Sequence, residues 1–266
     1  MDLERTLEFD KLKEIISSYA LSDLGRARAS ELRPLDKLEE IKRQLTLCAE
    51  AKRVILAFGK PPLQGLSDVR PFLVRLRITN SILDPYDFLA LLNLAEVNEK
   101  VRGFFREVKS EIAPCLKGLA SGLPNLSHVV SAISARISPE GEVLESASAE
   151  LRRIRRNMSR ARDELQRRLE TILNSPHYRQ AIQERIVTIR NNRYVIPVKQ
   201  EFKGMIQGVV QGVSSSGATI FLEPISVVEL NNALHQLAAE EEREIRRILL
   251  ELSDEMRGAV EDLSAA

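Results

Sequence analysis

Residues 185–224, RIVTIRNNRYVIPVKQEFKGMIQGVVQGVSSSGATIFLEP, break the pattern of the chain around them. Elsewhere apolar residues recur at helical spacing. Here they alternate, and β-branched residues, aromatics, glycines and turn residues gather. Val187 and Ile189 alternate with Ile186, Thr188 and Arg190, and Tyr194, Ile196 and Val198 carry a return strand. Between them Asn191-Asn192 predicts a tight hairpin, because asparagine tolerates positive φ. A second pair of strands is expected at 206–213 and 219–222, separated by the turn Ser214-Ser215-Ser216-Gly217. Pro197 lacks an N–H, which predicts an edge strand or a bulge.

Two long helical patterns flank this stretch. From 143 to 175 there is neither Pro nor Gly, and Leu151, Ile154, Met158, Ala161, Leu165, Leu169 and Ile172 recur in steps of three and four. That period, near 3.5, is a coiled-coil seam. After the β stretch, Leu230, Leu234, Leu237, Ile245, Ile248, Leu252 and Met256 form a matching stripe. Neither seam can be buried alone. An antiparallel pair with the β module at its tip is the simplest solution, an arm on the order of 40 Å at ~1.5 Å per residue.

Outward from the arm, the first 140 residues read as a helical base. A helix is expected at 3–19, and Ser22 caps a second that ends before Pro34. Asp36 is expected to cap a longer helix burying Leu38, Ile41, Leu45, Cys48, Ala49 and Leu56, ended by Gly59-Lys60-Pro61-Pro62. A short helix follows at 68–77. Asp84-Pro85 opens another that runs to about 109, and smaller helices are expected at 114–121 and 125–135. The reading is mainly α, a helical core bundle with a long antiparallel two-helix lever arm carrying a small β-rich clamp tip. Its parts are a core at 1–140, an outgoing helix at 141–184, a tip at 185–224 and a returning helix at 225–266.

Composition narrows the functional classes. The chain has 266 residues, 44% hydrophobic and 29% charged, with a net charge of +1, so it is neither a disordered chain nor a generally basic binder. Cys48 and Cys115 lack metal spacing and are expected to be buried thiols in a reducing compartment. No apolar run approaches the roughly 18 residues of a membrane span, and the first residues lack the character of a signal peptide. A soluble, cytoplasmic protein is expected.

The near-neutral total conceals segregated charge. Between 151 and 168, eight arginines face only Asp163 and Glu164, a surplus of six. The returning helix offers Glu240, Glu241, Glu242, Glu244 and Glu251. One reading is that the two helices simply pair their charges. The other is that Arg152, Arg156 and Arg160, on one exposed face, present a basic stripe to phosphates. At the tip, Arg190, Arg193, Lys199, Lys203, Ser214, Ser215 and Ser216 are candidates for contacts to a nucleic-acid backbone. They can equally be edge-strand protection and turn chemistry. No catalytic constellation emerges. His128, His177 and His235 share no ligand spacing, no GxxxxGK[ST] loop occurs, and GMIQG at 204–208 is strand, not phosphate cradle.

Several stretches resemble one family. IVTIRNNRYVIPVK (186–199), SSSGATIFLEP (214–224) and VVELNN (227–232) are similar to the bacterial MutS family of the second type, MutS-two. So are LEFDKLKEIISSYALSDLGR (7–26), GLSDVRP (65–71) and GEVLESASAELRRIR (141–155). The resemblance covers the chain and implies the core, lever and clamp regions of an N-terminal fragment, without the ATPase and C-terminal small MutS-related domains. It implies a parent that is an ATPase with an endonuclease domain, forms a homodimer, and acts on branched or double-stranded DNA in recombination suppression or on collided ribosomes and their RNA. ATP and Mg belong to the missing ATPase domain. No cofactor or metal is expected here, nor a membrane partner. Mapped onto these residues, the match places Arg190, Arg193, Lys199, Ser214, Ser215 and Ser216 in the clamp. The alternative is a mechanical, protein-binding scaffold whose tip contacts a ribosomal protein or the partner's clamp.

Overall fold

A computed structural model describes residues 8–266, divided into two compact units. One contains residues up to Leu144 together with Ile248–Ala266; the other is Glu145–Arg247. The protein is mainly α, with one small antiparallel sheet.

In the first unit the helices are α1 (Phe9–Ser18), α2 (Asp23–Ser30), α3 (Leu38–Phe58), α4 (Arg70–Leu76), α5 (Pro85–Glu107), α6 (Pro114–Ser121) and α7 (Ser127–Ser134). The part of the expected first helix before residue 8 lies outside the described residues. Local chemistry sets most boundaries. Ser22 Oγ accepts the N–H of Gly25 at 3.0 Å, Gly59 ends α3 with φ of 86°, and the N–H of Asp84 is held by Asp87 Oδ2 at 3.0 Å at the start of α5. The core centres on Phe88, Leu91, Leu126 and Ile133, all buried. Ser253 Oγ accepts the N–H of Leu83 at 3.1 Å, and Arg257 Nε donates to the carbonyl of Leu76 at 2.6 Å, so distant parts of the sequence are joined in this unit.

Helix α3 departs from expectation. Asp36 does not cap it; Lys37 occupies that position. The face expected to be buried is open, with Leu45 64% and Leu56 78% exposed, and Glu50 and Val54 are buried instead. The cause is a cap supplied across the fold. Glu50 Oε1 and Oε2 accept the N–H groups of Cys115 and Leu116, at 3.2 and 2.9 Å, in the first turn of α6. Helix N-terminal donors need acceptors, and a carboxylate suits the positive end of the dipole. Turning Glu50 inward turns Leu45 and Leu56 outward. Both cysteines are exposed, contrary to expectation.

Burial pushes the Glu50 carboxyl up, but the N–H groups of Leu116 and Cys115, the Cys115 side chain and the Arg53 charge outweigh it. The pKa lies below the ordinary 4.5. A carboxyl lowered on folding stabilises the fold above its ordinary pKa, and the contribution fades as pH falls through the folded value. Glu50→Gln is therefore expected to melt below the wild type at pH 7, with the gap closing as the pH drops under 4.5. Thermal melts at stepped pH check this; a gap that does not change with pH rejects it.

The second unit is built on α8 (Ala149–Asn174) and the first part of α9 (Ile225–Gly258); α10 (Val260–Ala265) closes the chain in the first unit. Ser148 caps α8, its side chain accepting the N–H of Leu151 at 2.9 Å. The two helices run antiparallel: Ser148 meets Glu244, Arg155 meets Glu241, and Arg168 reaches the carbonyl of Ser226. The predicted seam is present. Leu165, Leu169 and Leu173 pack with Val227 and Leu234, while Met158, Ala161 and Ile172 lie at its half-buried margin. With 26 residues, α8 is about 39 Å long at ~1.5 Å per residue.

Between the helices lies a four-stranded sheet of order β1-β2-β4-β3, with β1 Thr188–Arg190, β2 Arg193–Lys199, β3 Gly208–Val213 and β4 Thr219–Pro224. The first hairpin is the predicted one. Arg190 pairs with Arg193, and Asn191 and Asn192 form the two-residue turn at φ 50° and 59°. Along β2 and β4, Ile196, Val198, Ile220 and Leu222 alternate onto the seam residues of α8. Strand β2 is interior, not an edge. Pro197 is tolerated because its carbonyl, accepting the N–H of Gln183 at 3.0 Å, points away from β4. Its nitrogen faces the same side, beyond the last β1 pair, Thr188 with Val195.

Gly208 is required by close approach. A Cβ there would stand 2.3 Å from the carbonyl oxygen of Glu223. Gly208→Ala is expected to force β3 away from β4 and to cost about 1–3 kcal/mol, the usual range for overpacking. Urea unfolding measures the loss; an unchanged midpoint rejects it.

Candidate functional site

The arginines of α8 separate into two classes. Arg153, Arg155, Arg167 and Arg168 are paired. Arg153 reaches Glu150 at 2.6 Å, and Arg155 crosses to Glu241 at 2.7 Å. Arg167 and Arg168 share Glu164, whose carboxyl is held below its ordinary value by the Arg168 hydrogen bond and then by the Arg167 charge. Arg162 is exposed and its side chain has no partner among the described residues; Arg152, Arg156 and Arg160 are likewise exposed, and none of their side chains makes a hydrogen bond or a salt bridge there. Spaced by four, they form one file along the helix, and with Ala149, Arg153 and Asn157 they line a shallow recess of about 290 Å³. Of the α9 acids, Glu241 pairs with Arg155, and Glu240 comes within 3.9 Å of Arg153 at the edge of the recess. Glu244 accepts from Ser148 at 2.7 Å, and its carboxyl lies low through the Arg247 hydrogen bond, with Ser148 adding to it against the opposing effect of burial.

The tip candidates do not form one cluster. Arg193 and Lys199 stand at opposite ends of β2, about 20 Å apart at ~3.3 Å per residue. At the first end, Arg193 is engaged. Its Nη1 meets Glu223 Oε1 at 2.6 Å and its Nη2 meets Asn232 Oδ1 at 2.7 Å. Glu223 is 1% exposed and also accepts from Asn231 Nδ2 at 2.9 Å and Gln211 Nε2 at 2.6 Å. Asn231, fully buried, exchanges two further bonds with the backbone of Tyr194.

The hairpin end thus curls across β4 to reach β3. Asn191 Nδ2 donates to the carbonyl of Gln211 at 2.9 Å, and the Arg190 guanidinium lies 4.2 Å from the centre of the Phe221 ring. Gln211 is the residue passed over in the β3–β4 register, a bulge that turns its side chain to Glu223. Arg190 remains exposed, with its guanidinium over the ring and its Nη1 donating to the carbonyl of Ile189 at 3.1 Å.

At the other end, Lys199 is half-buried and pairs with Thr219, and Lys203 is exposed. Ser214 closes its turn by accepting the N–H of Thr219 at 3.1 Å; Ser215 and Ser216 are exposed, and Gly217 takes φ of 74°. Reasoning from sequence missed the role of Glu223, Asn231 and Gln211. A signal was present in a carboxylate between Leu222 and Pro224 of an apolar strand, followed by an Asn pair on the next helix. It missed Asn157 in the arginine recess as well.

Comparison with known proteins bears on what such an arrangement belongs to. No family model matches the chain. Endonuclease MutS2 of Alkaliphilus oremlandii is 38% identical over 250 residues, which is 94% of this chain and 32% of that protein. Endonuclease MutS2 of Pelotomaculum thermopropionicum is 39% identical over 249 residues, again 94% of the chain and 32% of the relative. That of Shouchella clausii is 36% identical over 264 residues, 98% of the chain and 33% of the relative. The chain is a MutS2 homologue along nearly its whole length. It spans about a third of the length of the curated MutS2 relatives it matches. Among the described residues no helix is long and apolar enough to cross a membrane, and no group of three or more His, Cys, Asp or Glu side chains could hold a metal ion.

Proposed function

We propose that this MutS2 homologue is a gripping part of a longer protein: a helical core at 1–140, lever helices at 141–184 and 225–266, and a clamp at 185–224 that embraces nucleic acid. One observation carries the reading. Arg153, Arg155, Arg167 and Arg168 pair with acids, and of the arginines left open Arg152, Arg156 and Arg160 stand in a single file, with Arg162 apart from it. A file of guanidinium groups with no base-reading partner suits a phosphate backbone and carries no sequence preference. Arg190, Lys199, Lys203, Ser215 and Ser216 add dispersed backbone contacts at the tip. Arg193 and Ser214 act indirectly, by holding the hairpin and the turn in place.

The targets are branched or double-stranded DNA, as in suppression of recombination, or the RNA of a collided ribosome. ATP with Mg, the endonuclease activity named for the relatives, and homodimer formation belong to the parent protein in this proposal. The test measures binding of the chain to a labelled four-way DNA junction and to ribosomal RNA as salt rises. Affinity that falls linearly on logarithmic axes supports the reading; no salt-dependent binding to either ligand rejects it.

A second reading has one specific observation behind it. With Arg193 paired internally to Glu223, the tip is less basic than its composition, which suits a mechanical scaffold whose tip meets a ribosomal protein or the partner's clamp. Photo-crosslinking from position 215 in the parent separates the two, since nucleic-acid adducts favour the grip and protein adducts the scaffold.

A further inference from the structure

Two recesses of the first unit share one wall. The larger, about 310 Å³, lies among α3, α5, α6 and the connection after α3. Its lining is apolar throughout, with Val54 and Val101 inside and Ile55, Leu63 and Leu119 exposed at its mouth. Phe105 and Ala120 form the shared wall. Beyond them the second recess, about 240 Å³, is lined by Arg102, Arg106 and Lys117.

Two acids close to this basic recess are already engaged. Glu99 accepts from Arg102 and from the N–H of Leu126, each at 2.8 Å, and Glu50 caps α6. Arg106 makes no salt bridge among the described residues, and Lys117 touches only the carbonyl of Val108. An open apolar slot therefore stands one helix face away from a recess lined by three cations and no carboxylate, with Glu99 beside it offsetting part of that charge.

This combination selects its occupant. The slot has no polar group to orient a small polar ligand. Nucleic acid would satisfy the arginines and leave the slot empty, and a basic partner would be repelled. What fits both is an amphipathic helix with large apolar residues one turn apart and carboxylates beside them, the helix-in-groove mode of recognition. We infer that the α3–α5–α6 groove is a docking site for such an acidic amphipathic helix of a partner protein. It is independent of the arginine file on α8.

The experiment selects from a displayed library of randomised helical peptides against the whole chain, with Leu119→Asp and Arg106→Glu as comparison targets. Both changes lie on exposed or solvent-facing positions, and circular dichroism confirms their folding. The expected result is enrichment of peptides carrying paired large apolar residues and flanking Asp or Glu, binding at least ten times more weakly to either variant. The variant R152E/R156E/R160E should select the same peptides, so failure of the nucleic-acid reading would leave this one standing. Peptides poor in acids, equal binding to the variants, or no enrichment over Leu119→Asp overturn the inference. It is overturned too if the chain dimerises through this face, with Leu119→Asp giving monomers, or if the full-length parent selects nothing because its own residues fill the groove.

Discussion

The triple variant R152E/R156E/R160E is expected to lose at least tenfold in affinity for a DNA junction at low salt, and to bind with a shallower salt dependence. Each phosphate contact to duplex DNA contributes about 0.9 to the slope of log affinity against log salt, so removing three contacts lowers the slope by about 2.7. Three acidic side chains in their place add repulsion to that loss. The fold should be preserved, because none of the three side chains has a partner to lose among the described residues. A paired position supplies the contrast. Arg155→Glu would place a carboxylate beside Glu241, with which Arg155 now makes a 2.7 Å bond, and is expected to lower the melting temperature. Anisotropy titrations at several salt concentrations measure the slopes. A triple variant with the wild-type slope would remove the file from the nucleic-acid interface.

Glu223→Ala is expected to produce the largest loss of stability at the tip. Removing the carboxylate deprives Arg193, Asn231 and Gln211 of a shared acceptor in one step. Breaking a buried ion pair from one side costs about 3–5 kcal/mol, because the remaining charge keeps its desolvation without its partner. Asn231→Ala removes the bonds to the Tyr194 backbone and should act in the same direction, with an effect that is not additive to the first because both belong to one network. Urea unfolding of the single and double variants measures the coupling. If Glu223→Ala unfolds at the wild-type midpoint, the network does not hold the hairpin.

These two regions differ in how visible they are in the sequence. Period and turn chemistry act over a few residues, so the seam of α8, the Asn191-Asn192 hairpin and the Ser22 cap could all be read from neighbours alone. The open file on α8 was half visible. Spacing places Arg152, Arg156 and Arg160 together, but only the paired helix shows which arginines meet acids. Glu223 could not be assigned, since its partners Arg193, Gln211 and Asn231 come from three other elements and meet only when the hairpin crosses β4. Helix α3 illustrates the same limit in reverse. Its apolar stripe is real, yet one carboxylate needed by the first turn of α6 decided which face turned inward. A tertiary hydrogen-bond requirement overrode hydrophobic pattern there. The cysteines followed the pattern into error, since Cys48 lies on that same open face.

The antiparallel pairing of α8 with α9 also orders events in the formation of the second unit. The bond between Arg168 and Ser226 links residues 58 apart, and that between Ser148 and Glu244 residues 96 apart. With the sheet already formed between the helices, most of the larger loop is closed, and each further turn of the pair closes only a small additional one. Assembly in this order resembles a zipper started at its closed end. Weakening the β3–β4 contact at Gly208 would then slow folding, whereas loosening Ser148 would chiefly speed unfolding. The small sheet that interrupts the helical pattern thereby becomes the place from which the long helices find their register.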